Sequence, residues 1–240
     1  MSEMRPAKDQ RAIGSAAGSG PCNVVLVGLP GSGKGTQGSQ FARRHGIPKI
    51  STGDMLREAV ARGTALGREV EATLAAGGLV PDDLIIRVVE DRLRLPDTAG
   101  GFVLDGFPRT LPQAVALDGI MAGRGMLIVI YLEVSPDVII KRILSRRICE
   151  SCGQADTGAP TTEYCASCGG AFVKRADDHV DVIKRRVAAY VENTAPLVEW
   201  YRKGPAFRAI DGNRPLPEVA AAFDAAVLDC LNKRGHSYLR

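Results

Sequence analysis

The sequence predicts an α/β fold: a P-loop three-layer structure with a five-stranded parallel sheet between helices, from which two inserts project. Two observations carry this expectation. Five short apolar runs, at 23–27, 49–51, 102–105, 127–132 and 207–210, alternate with longer stretches of helical spacing. The first run leads directly into a glycine-rich loop that ends in lysine and opens a helical pattern, the order needed to cradle a phosphate.

Taken in order, residues 1–21 are small and polar and predict a disordered tail outside the fold. The run Asn23-Val-Val-Leu-Val is followed by Gly28-Leu-Pro-Gly-Ser-Gly-Lys-Gly-Thr-Gln. In such a loop Gly31, Ser32, Gly33, Gly35 and Thr36 present backbone N–H groups to phosphate oxygens. Lys34 reaches the β and γ phosphates, and the helix N-terminus adds its dipole. The strict pattern asks for Ser or Thr directly after the lysine; here Gly35 intervenes and Thr36 follows. Residues 52–80 are helical and punctuated by glycine, whereas Leu84, Ile85, Val88, Val89 and Leu93 repeat at the spacing of a buried helix face. The run ending at Asp105 predicts a strand whose last carboxylate stands beside the P-loop, where it could orient water on Mg²⁺ or simply cap a turn. Parallel sheets bind ligands at the carboxyl ends of their strands, so the residues just after each run carry the chemistry.

Composition bounds the function. The chain has 240 residues, 45% hydrophobic and 24% charged, enough for a sizeable core. No apolar run approaches the ~20 residues of a membrane span, and a net charge of +4 is too small to imply nucleic-acid binding. Arginine outnumbers lysine 23 to 8; phosphate handling explains the bias, and so does genomic base composition. His45, His179 and His236 fall outside the motifs, which disfavours hydrolases that depend on a histidine base.

Four of the six cysteines form two C-x-x-C pairs, Cys149/Cys152 and Cys165/Cys168, separated by twelve residues. Four thiolates on two tight knuckles suit a tetrahedral Zn²⁺, and an insert of roughly thirty residues needs a metal because it is too small for its own core. A redox dithiol is the other reading, although redox motifs usually carry one pair. With no secretory signal after the N-terminus, a cytoplasmic location is expected; Cys22 and Cys230 read as core thiols.

Four ordered motifs resemble those of adenylate kinases: the P-loop with its Gly-Thr shift, Ser51-Thr-Gly-Asp-Met-Leu-Arg57, Leu104-Asp-Gly-Phe-Pro-Arg109-Thr and Arg175-Ala-Asp-Asp178. The resemblance implies transfer of the terminal phosphoryl group of Mg-ATP to AMP, giving two ADP. It divides the chain into a core (22–51, 81–146 and 177–240), a nucleoside-monophosphate (NMP) binding insert (52–80) and a zinc-binding lid (147–176). Lys34, Asp105, Arg109, Arg146, Arg175 and Arg186 would be catalytic. ATP would meet Gly31, Ser32, Gly33, Lys34, Gly35, Thr36, Arg142 and Arg146, with Arg142 beside the adenine, and also Ala155, Asp156 and Arg214. At 155 and 156 the family often has a Thr or Val and an aromatic instead. AMP would meet Thr52, Arg57, Gly78, Leu79, Val80, Gly106, Phe107, Pro108, Arg109, Gln113, Arg175 and Arg186, with Gln113 at the adenine edge. Mg²⁺ with ATP and a structural Zn²⁺ are the implied cofactors. The implied partners are ATP, AMP and ADP, with no nucleic acid or membrane and the chain a monomer. A pyrimidine nucleotide kinase and a zinc-ribbon module switched by ATP are the rival readings.

Overall fold

The computed structural model describes residues 20–156, 162–175 and 178–236, without the side chains of 234–236. The expected tail falls outside these residues as far as 19, as do 157–161 in the cysteine segment and Ala176 and Asp177 in the fourth motif.

Among the described residues seven strands follow one another: β1 (Cys22–Val27), β2 (Lys49–Ser51), β3 (Gly101–Asp105), β4 (Leu127–Glu133), β5 (Arg147–Cys149), β6 (Phe172–Lys174) and β7 (Phe207–Asp211). Five of them form one sheet in the order β2-β3-β1-β4-β7, every neighbouring pair parallel. All five expected runs are strands of this sheet, and their apolar continuity has a simple cause. Side chains alternate between faces, and both faces are covered. Val25, Val27, Phe102 and Leu104 enter a cluster with Ile85, Val89, Leu117 and Leu197. Those four lie on α4 (Asp82–Leu93), α5 (Leu111–Ile120) and α8 (Ala195–Arg202). Val24, Leu26, Val103 and Ile130 face the opposite layer, with Phe41 of α1 (Lys34–His45) and Phe223 of α9 (Leu216–His236). The Phe41 and Phe223 rings stack at 4.5 Å.

Between β2 and α4 the chain forms a helical pair, α2 (Thr52–Ala61) and α3 (Ala65–Ala76). Ser51 caps α2 by accepting from the Asp54 N–H, and Thr64 caps α3 by accepting from that of Gly67. After α6 (Pro136–Leu144) a small antiparallel ladder pairs β5 with β6. Then α7 (Val180–Ala189) runs through a π-helical turn, Tyr190–Thr194, into α8. No helix among the described residues is long and apolar enough to cross a membrane.

The parallel topology places the chain segments that follow β1, β2, β3, β4 and β7 at one end of the sheet. The P-loop follows β1 there, the Ser51–Arg57 motif follows β2, and the Leu104–Thr110 motif follows β3.

Candidate active site

The P-loop opens the rim. Gly33 caps α1 with φ +95°, a conformation in which a side chain is strained, so glycine is needed where the loop turns into the helix. Lys34 Nζ donates to the carbonyls of Gly28 (2.6 Å) and Leu29 (2.8 Å) and lies 3.4 Å from Ser32 Oγ. Burial pushes its ammonium down to about 8; Asp105 opposes the shift, and the charges of Arg109 and Arg146 reinforce it. These four side chains therefore lie close enough to feel one another's charge.

Arg109 is held by its own backbone. Its N–H donates to Gln113 Oε1 (2.7 Å), its carbonyl accepts from Thr194 Oγ1 (2.9 Å), and its Nε donates to the Gly106 carbonyl (2.8 Å). Gly106 is essential to this approach, because a Cβ there would lie 2.7 Å from Thr52 Oγ1 and 3.1 Å from the guanidinium. Burial, followed among like charges by Arg186 and then Arg57, lowers the Arg109 pKa against the pull of Asp105. Arg57 of α2 is itself ion-paired with Asp54. Arg146 and Arg186 share Asp178, a carboxylate 6% exposed: Arg146 Nε donates to it at 2.6 Å, and Arg186 stands 3.6 Å away. Cations from the P-loop, α2, the loop after β3, the end of α6 and α7 thus converge on one space at the rim. Phosphate is the anion that many guanidiniums and one ammonium suit. Arg175 directly follows β6.

Other expected site residues are placed differently from one another. Arg142 bridges the P-loop to the segment after β7, donating to the carbonyls of Ser32 (3.4 Å) and Gly212 (2.8 Å). In that segment Arg214 is exposed and pairs with Asp211 at 3.4 Å. Asp156 is engaged by Arg147 within the cysteine segment, and Ala155 bridges to Ile148, so both serve the segment's internal ladder. In this arrangement the Asp156 carboxylate is taken by a guanidinium. The Phe107 side chain belongs to the core and not to the rim. It is fully buried in the core cluster, so Phe107 offers only backbone to the rim. Of the three residues before α4, Val80 is buried in that cluster while Gly78 is exposed. Gln113 is 2% exposed, and its amide is engaged at both ends.

Sequence reasoning missed Asp178, Thr194, Asp82 and Lys49. Lys49 Nζ lies 3.7 Å from Asp105 and 3.8 Å from Asp54, joining strand β3 to α2. A Cβ on Gly35 would sit 3.6 Å from Asp105 Oδ2 and 3.7 Å from Lys49 Nζ, so the glycine after Lys34 leaves both groups open to the loop. The available signal was register: Lys49 and Ser51 are two residues apart on one strand and share a face.

The four clustered thiols fit a metal. Their Sγ atoms all lie within 4.8 Å of one another, with Cys149–Cys168 at 3.4 Å and Cys152–Cys165 at 3.7 Å. A tetrahedral ion with sulfur bonds of ~2.3 Å needs edges of roughly 3.8 Å. The two knuckles match: the Gly153 N–H donates to the Cys149 carbonyl, and the Gly169 N–H to that of Cys165. Backbone N–H groups, first that of Cys152, hold the Cys149 thiol down to about 7. Cys168 is pushed up despite an N–H from Gly170, because Cys149 and Cys152 crowd it. A bound cation would relieve that opposition.

Comparison with known proteins points the same way. The adenylate kinase family profile matches residues 26–205. The chain is 45% identical over 203 residues to the adenylate kinase of Kosmotoga olearia, covering 82% of this chain and 94% of the relative. It is 46% identical over 203 residues to that of Thermosipho melanesiensis (82% and 95% covered) and 43% identical over 209 residues to that of Archaeoglobus fulgidus (85% and 96%). With the profile spanning three quarters of the sequence and the cations gathered on one rim, the chain belongs to the adenylate kinase family.

Proposed function

We propose that the rim catalyses Mg-ATP + AMP ⇌ 2 ADP by direct in-line transfer. The observation that carries this is the gathering of Arg57, Arg146 and Arg186 around Lys34 and Arg109, two cations whose charge burial and like neighbours make costly and which a bound polyanion would relieve. In this reading Lys34, Arg146 and the P-loop N–H groups hold the donor's phosphates, and Arg142 lies beside its adenine. Arg57 and Arg109 grip the acceptor monophosphate, and Arg175 and Arg186 flank the moving group.

The bond that forms joins the γ-phosphorus to an oxygen of the AMP phosphate; the bond that breaks runs from that phosphorus to the β–γ bridging oxygen. A phosphate monoester loses its second proton near pH 6, so the attacking oxygen is already anionic at neutral pH and no base is required. That accounts for a site without a placed histidine. Positioning and fixed positive charge then supply most of the rate, and the bidentate Arg146–Asp178 pair pre-orients one guanidinium for that work. Asp105, at the end of β3, is the carboxylate suited to hold water on Mg²⁺, which when bound neutralises charge between the phosphates. Cys149, Cys152, Cys165 and Cys168 would hold Zn²⁺, which ties together a segment that closes over ATP and keeps water from accepting the phosphoryl group. Reduced, clustered thiols fit a cytoplasmic enzyme, and we read the chain as a monomer.

A coupled assay with ATP and equal concentrations of AMP, CMP, UMP or GMP tests the reading. AMP should be the preferred acceptor; a clear preference for CMP or UMP would overturn it.

A further inference from the structure

Three groups meet where the helical pair α2–α3 rejoins the core. Asp82, the first residue of α4, has both oxygens engaged: Oδ1 accepts from Gln113 Nε2 at 2.7 Å, and Oδ2 accepts from Thr110 Oγ1 at 2.9 Å. On its other side Gln113 Oε1 accepts the Arg109 N–H at 2.7 Å. The two ends of a primary amide look alike in shape, and its flip is usually settled only by its partners. Here both partners speak for the same orientation. A backbone N–H can only donate, so it demands the amide oxygen; a carboxylate can only accept, so it demands the amide nitrogen. Flipping Gln113 would face oxygen with carboxylate and N–H with N–H, losing two hydrogen bonds and adding two repulsions. After these contacts the amide keeps one N–H and one lone pair, in a fixed order.

We propose that Asp82 is a specificity-determining positioning residue that locks the Gln113 amide and thereby sets the preference for adenine over guanine. This rests on the reading that Gln113 meets the acceptor's base. Adenine presents a donor, its exocyclic N–H, beside a ring acceptor, which matches a locked amide bidentately. Guanine carries a carbonyl oxygen at that exocyclic position, so the locked amide would set oxygen against oxygen. An amide free to flip could present its N–H to that carbonyl instead. The discrimination comes as much from rejecting the wrong base as from holding the right one. The lock is well placed for this role, since Asp82 lies two residues after Val80 and the N-terminus of α4 favours a negative charge there.

The test measures equilibrium binding and kcat/KM for AMP and GMP in four variants. In Asp82→Ala the AMP-to-GMP ratio should fall at least tenfold, through a KM effect, with kcat for AMP changed less than threefold. Asp82→Ser, too short to reach Gln113 but well suited to a helix start, should do the same and serves if the alanine variant does not fold. Asp82→Asn, whose amide can turn either end to Gln113, keeps the contact but loosens the lock and should give a ratio between those of Asp82→Ala and wild type. A folded Asp82→Ala or Asp82→Ser with the wild-type ratio overturns the proposal, as does an equal loss for both nucleotides accompanied only by a lower melting temperature. Gln113→Ala locates the fault: if it abolishes discrimination while the Asp82 variants do not, the lock is wrong and the base-reading role stands; if it too leaves the ratio unmoved, the base-reading role is wrong.

Discussion

Within the five-stranded sheet Val24, Val25, Phe102 and Leu104 have no exposed surface, and both faces are covered by helices. Within the two-stranded ladder Val173 faces solvent and only Cys149 is buried, while the second buried thiol, Cys165, lies on the loop between its strands. Both regions contribute cations to the same rim, Lys34 and Arg109 from one, Arg146 from the border of the other. The difference shows where each gets its order. The sheet is held by removal of apolar surface from water, at about 25 cal/mol per Å². The cysteine segment, too small to do that, relies on a cluster that a metal can close. Groups that must stay fixed can rest on the first; the second can lose its order without unfolding the first.

That contrast can be attacked from both sides. The largest effect is expected from Lys34→Met, which removes an ammonium seated on the P-loop carbonyls: turnover should drop by roughly 10²-fold or more, with circular dichroism unchanged. A rate within threefold of wild type would remove Lys34 from the mechanism. In the core, Leu104→Ala should cost about 2–5 kcal/mol in urea unfolding, whether or not metal is present. Chelation should act in the complementary way. Amide exchange across 147–156 and 162–175 should speed up by about 10²-fold, while β1 amides change little. Equal acceleration in both regions would show that the two are not separately stabilised.

A smaller effect concerns pH. The Lys34 pKa is lowered from 10.5 to about 8 in the folded chain. Between those values the unfolded chain keeps a proton that the folded chain has released, so this residue makes unfolding harder as pH rises through that window. Below about 8 its charge is a full cost to the fold, on the order of 1–3 kcal/mol. Lys34→Met should therefore raise the melting temperature at pH 7 and flatten its rise between pH 8 and 10; a lowered melting temperature would contradict this. The smallest effect is expected at Lys49→Met. It should shift the Mg²⁺ dependence by a fewfold through Asp105, 3.7 Å away, and leave the cysteine segment's exchange untouched.

Much of this was legible in the sequence, for physical reasons. A strand buried on both faces must be apolar throughout, so β1, β3 and β4 are visible as runs. A P-loop needs glycine at fixed offsets, and a four-thiol cluster needs its two pairs. Pairings across long stretches were not legible. Nothing in residues 110–113 says that Gln113 will meet Asp82, thirty-one positions earlier, or that Arg146 and Arg186 will share Asp178. The direction of the Phe107 ring also depends on the layer above it, which is set by tertiary packing. The family resemblance puts Asp156 and Arg214 at ATP, and the fold engages their charges with Arg147 and Asp211. Sequence identifies residue types capable of binding phosphate; the fold decides which of them have other partners.

Titration calorimetry with a ligand joining two adenosines through five phosphates tests the central claim, that donor and acceptor lie end to end on one rim. One ligand per chain should bind, and its presence should abolish binding of both ATP and AMP. A complex that still takes up AMP, or two such ligands per chain, would contradict a single shared cleft.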